Sequence, residues 1–193
     1  MPPFILFVFC IIYFFEIGIK ASFLDWLATY TVKSGFDTKE SASIYTSVYA
    51  GLTIIFKILF GFLPIGNSLI KITIFTIAGS ITALGSVAII TYWEPKVGLF
   101  FFIICMSLFV APLFSWCQSL PHSKGFRIAS DQFIWVSISM GLTLGATPTV
   151  VGLVMKKSLL EIVFYYTSFC YLVTLIGSLI ANKLLETERK LRD

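Results

Sequence analysis

Charged residues are scarce in this sequence. Asp, Glu, Lys and Arg make up 12% of its 193 residues, whereas an average soluble domain carries about 25%. Hydrophobic residues make up 58% and the mean hydropathy is +0.93, so the chain lacks the polar side chains that a water-facing surface needs. Its net charge of +4 forms no basic stripe of the kind that binds nucleic acid. The composition argues against a soluble enzyme, a disordered protein and a nucleic-acid binder, and predicts a protein of the lipid bilayer.

The sequence also has little that could carry catalysis. It contains one histidine, which excludes a multi-histidine metal site, and it has no G-x-S-x-G, H-E-x-x-H or Walker A motif. Its four cysteines are far apart and each lies in an apolar stretch: Cys10, Cys105, Cys117 and Cys170. We interpret them as apolar packing residues. The sequence predicts neither an enzyme nor a bound metal or cofactor.

What the chain does have is six long apolar segments separated by short polar breaks. They cover residues 4–32, 41–63, 69–92, 97–120, 128–155 and 159–182. Each is long enough for a helix to cross a bilayer, which takes about 20 residues. The segments do not alternate apolar and polar residues as barrel strands do, so we predict six transmembrane helices. Capping patterns support two of the starts, at Asp37–Glu40 and at Ser158–Glu161.

An even number of spans places both termini on the same side of the membrane. That side receives seven basic residues: Lys71, Lys124, Arg127, Lys183, Arg189, Lys190 and Arg192. The opposite side receives five: Lys33, Lys39, Lys96, Lys156 and Lys157. By the positive-inside rule this bias predicts cytoplasmic termini and a charged cytoplasmic tail over residues 183–193. The N-terminal Met1-Pro2-Pro3 lacks the basic region of a signal peptide, so the first segment is interpreted as a retained span.

The first segment contains charges inside an apolar stretch. Glu16 and Lys20 are four residues apart, so they share one helix face in the favourable order. Two readings stay open. The pair could simply neutralise itself to lower the cost of insertion, or it could face a cavity and bind a polar substrate or relay a proton.

Aromatic side chains are the other candidate binding residues. Trp26 and Tyr30 follow Glu16 and Lys20 on the same helix, and we expect them to line a solute path together with Tyr49 and Trp116. The alternatives are an interfacial aromatic belt for Trp26 and helix packing for Trp116. Lys57, near the end of the second segment, is interpreted as reaching towards the membrane surface.

Several short motifs resemble helices of major facilitator superfamily transporters, in the group of sodium-dependent glucose transporters and fucose permeases. The matching stretches are Gly18-Ile19-Lys20 with Asp25 to Val32, then Gly51-Leu52-Thr53 with Lys57 and Gly61, then Ala111 to Phe114, and last Gly141, Gly145, Pro148 and Gly152. In order and spacing they resemble the seventh, eighth, tenth and eleventh helices of that family. Lys20 departs from the family, which often has Glu at this position, and Lys57 stands in place of a usual Arg.

The resemblance implies the C-terminal half of a twelve-helix transporter, built as a 3+3 repeat. It implies secondary transport of a small polar solute, for which a sugar is the leading candidate, with a proton or sodium as a possible coupling ion. The solute path would lie between two six-helix halves, so the chain would be a truncated product, a subunit that pairs with another half, or a homodimer. The alternative from a different class is a non-transporting membrane scaffold or an inactive remnant.

Overall fold

The structure is a computed structural model that describes residues 1–62, 67–92, 95–157 and 161–192. Within these ranges every regular element is an α-helix. The helices are α1 (Pro3–Lys33), α2 (Lys39–Gly61), α3 (Ser68–Tyr92), α4 (Pro95–Val110), α5 (Leu113–Ser123), α6 (Ser130–Lys157) and α7 (Ile162–Arg192). Over the same ranges there are six spans long and apolar enough to cross a membrane, with α4 and α5 together forming the fourth. The predicted all-α, six-span membrane fold is confirmed.

Proline accounts for the one division inside a span. Pro112 has no backbone N–H to donate into the helical ladder, and it stands between the end of α4 and the start of α5. Pro3 and Pro95 occupy helix starts, where a missing N–H costs nothing. The last helix continues to Arg192, so most of the predicted charged tail forms its final turns.

The start of α2 differs by one residue from the predicted capping pattern. Thr38 is the N-cap, and its hydroxyl accepts a hydrogen bond from the Ser41 N–H at 3.4 Å. Asp37 instead accepts bonds from the Thr38 N–H at 2.9 Å and from the Tyr45 hydroxyl at 2.8 Å. Lys96 pairs with the same carboxylate at 3.4 Å, which ties the α1–α2 turn to α4. Residues 158–160 of the predicted capping pattern Ser158–Glu161 lie outside the described residues.

The packing of the helices repeats itself between the two halves of the chain. Helix α1, in the first half of the chain, packs against α6 and α7 of the second half. Helix α4, in the second half, packs against α2 and α3 of the first half. The third and last spans, α3 and α7, pack against each other. Exchanging the first three spans with the last three reproduces all of these pairings.

Two hydrophobic clusters form the core, one towards each end of the bundle. The cluster at the end where both termini lie, which we call the termini end, includes Ile5, Ile72, Val136 and Leu185. The cluster at the far end includes Tyr30, Ile90 and Val163 among others. On four helices, buried polar or small residues separate the two clusters. This middle layer consists of Glu16, Gly18, Thr76, Gly79, Ser80, Thr143, Thr147, Thr174 and Ser178.

Small residues in this layer let the helices approach closely. A Cβ added at Gly79 would lie 2.5 Å from the Tyr171 ring of α7, whereas one added at Gly85 on the same helix would meet nothing within 4 Å. We therefore expect Gly79→Ala to lower the free energy of unfolding by about 1–3 kcal/mol through overpacking. The matched variant Gly85→Ala should be neutral or slightly stabilising, because alanine favours the helix. Thermal unfolding in detergent measures both, and an equal effect of the two variants would contradict this account of the α3–α7 contact.

The Asp37 carboxylate should make stability depend on acid pH. The Thr38 N–H, followed by the Tyr45 hydroxyl, lowers the pKa of Asp37 from 3.8 to about 2. A carboxylate whose folded pKa lies below its unfolded pKa stabilises the fold above pH 3.8, and this contribution is lost as the pH falls towards about 2. We expect Asp37→Asn to abolish the part of the pH dependence that lies in this window, and Tyr45→Phe to weaken it. Circular dichroism melts between these pH values provide the measurement, and an unchanged pH profile in Asp37→Asn would refute the assignment.

Candidate functional site

A buried ion pair lies in the middle layer of α1. Glu16 is fully buried, and its Oε1 accepts a hydrogen bond from the Lys20 ammonium one turn later. The Lys20 side chain keeps 16% exposure, and its Nζ lies 5.4 Å from the centre of the Phe114 ring of α5. Since an isolated buried charge costs several kcal/mol, Lys20 and the aromatic face together are what allow a carboxylate at this depth.

The layer around this pair contains polar atoms that have no partner. The second carboxylate oxygen of Glu16, Oε2, is buried without a hydrogen bond, and so are the hydroxyls of Tyr13 and Tyr49. Tyr13 lies about one helical turn before Glu16, with its ring centre 5.5 Å from that of Phe114, and the Tyr49 ring centre lies 4.4 Å from that of Phe23 on α1. Most threonines of the layer, by contrast, donate to a carbonyl of their own helix, as Thr76 does to Ile72 at 2.7 Å. Buried polar atoms are usually satisfied, so these three mark a place that can receive a ligand or water.

Trp116 lies beside this place, towards the termini end. Its ring packs edge-on against Phe75 with centroids 4.8 Å apart, and the Lys71 ammonium lies 5.5 Å from the ring centre. Trp116 also lines a cavity of about 40 Å³ together with Lys57 of α2, Pro112 and Ser115. The predicted position of Trp116 in helix packing and its predicted position on a solute path are therefore both compatible with the geometry.

Trp26 and Tyr30 lie elsewhere. They are 10 and 14 residues beyond Glu16 on α1, about 15–21 Å along the helix axis. The Trp26 indole N–H donates to the Pro148 carbonyl of α6 at 3.0 Å, and its ring packs on Gly152. Tyr30 is buried among rings at the far end, with its ring centre 5.0 Å from that of Phe164.

The structure thus pairs Glu16 with Lys20 and places Tyr49 on the Phe23 ring about one turn beyond Lys20. Trp116 lies two residues after Phe114 on α5, and Trp26 and Tyr30 lie in a separate contact region. Two participants were missed by the sequence reasoning, Tyr13 and Phe114. Tyr13 precedes Glu16 by three residues, so helical spacing could have identified it. Phe114 comes from a helix distant in sequence, and only its place after Pro112 hinted at it.

The chemistry available to this group is polar recognition. It offers a carboxylate oxygen, two phenols, two ammonium groups and flat aromatic faces. Among the residues that the structure describes, no three His, Cys, Asp or Glu side chains come together as metal ligands would. The arrangement suits a small solute with hydroxyl or charged groups.

The mutual dependence of Glu16 and Lys20 can be measured. Lys20→Met should lower the free energy of unfolding by about 3–5 kcal/mol, because it leaves Glu16 as an unpaired buried charge. Glu16→Gln alone should cost less, since Lys20 keeps partial exposure, and the double variant Glu16→Gln/Lys20→Met should recover most of the loss. Thermal unfolding of the three variants forms a double-mutant cycle. If the effects of the two single variants simply add, the pair does not act as described.

Comparison with known proteins gives no relative for this chain, since no protein-family model, no curated protein sequence and no solved structure matches it. The fold class therefore rests on the helices themselves, and the resemblance to major facilitator transporters remains an expectation from residue spacing.

Proposed function

We propose that this chain is one half of a secondary transporter of the major facilitator type, and that it carries a small polar solute, with a sugar as the leading candidate. The observation that carries the proposal is the Glu16–Lys20 pair: its carboxylate is fully buried, and Glu16 Oε2 and the Tyr13 and Tyr49 hydroxyls have no hydrogen-bond partner. Charges within membrane spans are costly and mark substrate or ion pathways. A pair that served only to neutralise itself would not need two further phenols without partners.

The repeated packing of the helices supports the transporter plan. Many transporters are built from three-helix repeats that exchange under a pseudo-twofold axis. The pairings of α1 with α6 and α7, and of α4 with α2 and α3, follow that pattern. The break of the fourth span at Pro112 also places a discontinuous helix beside the polar group, as transporter sites often do.

The faces of α2 and α6 support a second six-helix unit as partner. Both helices expose small residues at four-residue spacing: Ser43, Ser47 and Gly51 on α2, and Ser137, Gly141, Gly145 and Thr149 on α6. A Cβ added at Gly51, Gly141 or Gly145 would meet nothing within 4 Å. Small residues at this spacing allow close approach of helices in membranes. The second unit is either a different half or a second copy of this chain.

One observation favours the alternative of a non-transporting scaffold. The cavity next to Trp116 and Lys57 measures about 40 Å³, whereas sites that enclose small molecules usually span hundreds of cubic ångströms. A scaffold would need no cavity, and its buried ion pair would serve only the packing of α1.

Counterflow into proteoliposomes separates the two functions. We expect the purified chain, alone or with a matching half, to exchange labelled sugars from a panel of glucose, fucose, gluconate and glucose 6-phosphate. The variant Glu16→Gln/Lys20→Met should fold. We expect its exchange rate to be at least about tenfold lower, because the loss of about 1.4 kcal/mol of solute binding corresponds to a factor of ten. Proton and sodium gradients applied in separate arms identify the coupling ion. A folded chain that exchanges none of these solutes in either arrangement would favour the scaffold.

A further inference from the structure

Lys57 of α2 is a positive charge that the polar group does not neutralise. Its side chain is exposed on the bundle, and it forms no ion pair with any residue that the structure describes. It lies four residues before the last residue of α2, about 6 Å inside the helix end. The cavity that Lys57 lines includes Pro112, two residues before Phe114, whose ring centre lies 5.4 Å from the Lys20 ammonium.

The charges in this place do not balance. Lys20 and Lys57 provide two ammonium groups, while Glu16 is the one carboxylate of the middle layer and is already paired with Lys20. The group therefore has a surplus of positive charge, and in a bilayer such a surplus is stable only beside water or an anion.

The small cavity has the composition and size for one anionic group. It is lined by Lys57, Ser115 and Trp116, together with Pro112 at the junction of α4 and α5. About 40 Å³ is little more than the liquid volume of one water molecule, about 30 Å³. That space suits a carboxylate or phosphate group but cannot enclose a whole sugar ring.

We propose that Lys57, with Ser115 and the Trp116 ring, binds the anionic group of the solute, so that the chain carries an acidic solute such as a sugar acid or a sugar phosphate rather than a neutral sugar. This inference rests on the proposed transport function and specifies its substrate class. An anionic lipid headgroup has the same recognition chemistry, and the experiment below separates the two sources.

The test is ligand-induced thermal stabilisation of the full chain in a neutral polyoxyethylene detergent, followed by tryptophan fluorescence. The probes are gluconate, glucose 6-phosphate, glucose and phosphatidylglycerol, with sodium chloride at matched ionic strength. A ligand that binds the folded chain raises its Tm by mass action. We expect gluconate or glucose 6-phosphate to raise Tm while glucose does not. In Lys57→Gln the apparent affinity for the acidic sugar should fall by at least about tenfold, about 1.4 kcal/mol.

Two control variants isolate the charge at position 57. Lys57→Arg keeps the positive charge and should keep the response. Lys39→Gln removes an exposed lysine from the opposite end of α2 and should leave the response unchanged. Both controls also report whether a substitution on α2 disturbs folding, because each Tm without ligand is measured in the same series.

The outcomes separate this inference from the proposed function. Equal stabilisation by glucose and gluconate, no stabilisation by either acidic sugar, or an undiminished response in Lys57→Gln would each overturn the anion site. Stabilisation by phosphatidylglycerol alone, lost in Lys57→Gln, would assign the site to a lipid headgroup and overturn the acidic solute. Exchange of glucose without any effect of acidic sugars would leave transport standing and reject this inference. Stabilisation by gluconate without exchange of any solute would support the anion site and contradict transport.

Discussion

The burial of one carboxylate governs the centre of this molecule. Glu16 lies between two hydrophobic clusters and is fully buried. Its charge is tolerable because Lys20 lies one helical turn away and because the Lys20 ammonium also lies over an aromatic ring from α5. The position of α5 against α1 is therefore an electrostatic requirement as well as a packing contact. Without that arrangement the longest apolar helix of the chain would carry a charge into lipid at a cost of several kcal/mol.

Close helix packing around this layer depends on small residues, because lipid provides no hydrophobic drive for helices to associate. Gly79 receives the Tyr171 ring, Gly152 receives the Trp26 ring, and Gly177 receives Ile12. These contacts join α3 to α7, α6 to α1, and α7 to α1. Thr76 and Thr174 donate to carbonyls of their own helices. Ser80 and Thr147 instead bond to hydroxyls of α7, so the layer also links helices through polar contacts. The layer is thus polar and tightly packed at the same time, and the few atoms left without partners stand out against it.

Most of the fold could be predicted from the sequence, since long apolar segments admit few structures in a bilayer. Helix starts at Pro3 and Pro95 and the break at Pro112 follow from the chemistry of proline. The sequence could not show that Thr38 rather than Asp37 is the N-cap, because both residue types cap helices well. Asp37 instead contacts Tyr45 and Lys96, which come close to it only in the folded chain. The Glu16–Lys20 pair was visible from spacing on one helix. Whether it faced lipid, a cavity or the core depended on the contacts of α1 with four other spans.

The aromatic residues show where such reasoning ends. Trp26 and Tyr30 share the helix of Glu16, and sequence spacing alone places them on a common path. The structure separates them, because Pro148 offers a carbonyl to the Trp26 indole and Phe164 receives the Tyr30 ring. Phe114, from another span, lies closer to the Lys20 ammonium, at 5.4 Å from its ring centre. Nearness along a helix therefore identifies partners only within about one turn, while a site that serves a solute is assembled from residues that different helices bring to the same depth. In this chain the Glu16–Lys20 pair of α1 and the Phe114 ring of α5 are brought together in this way at the depth of the middle layer.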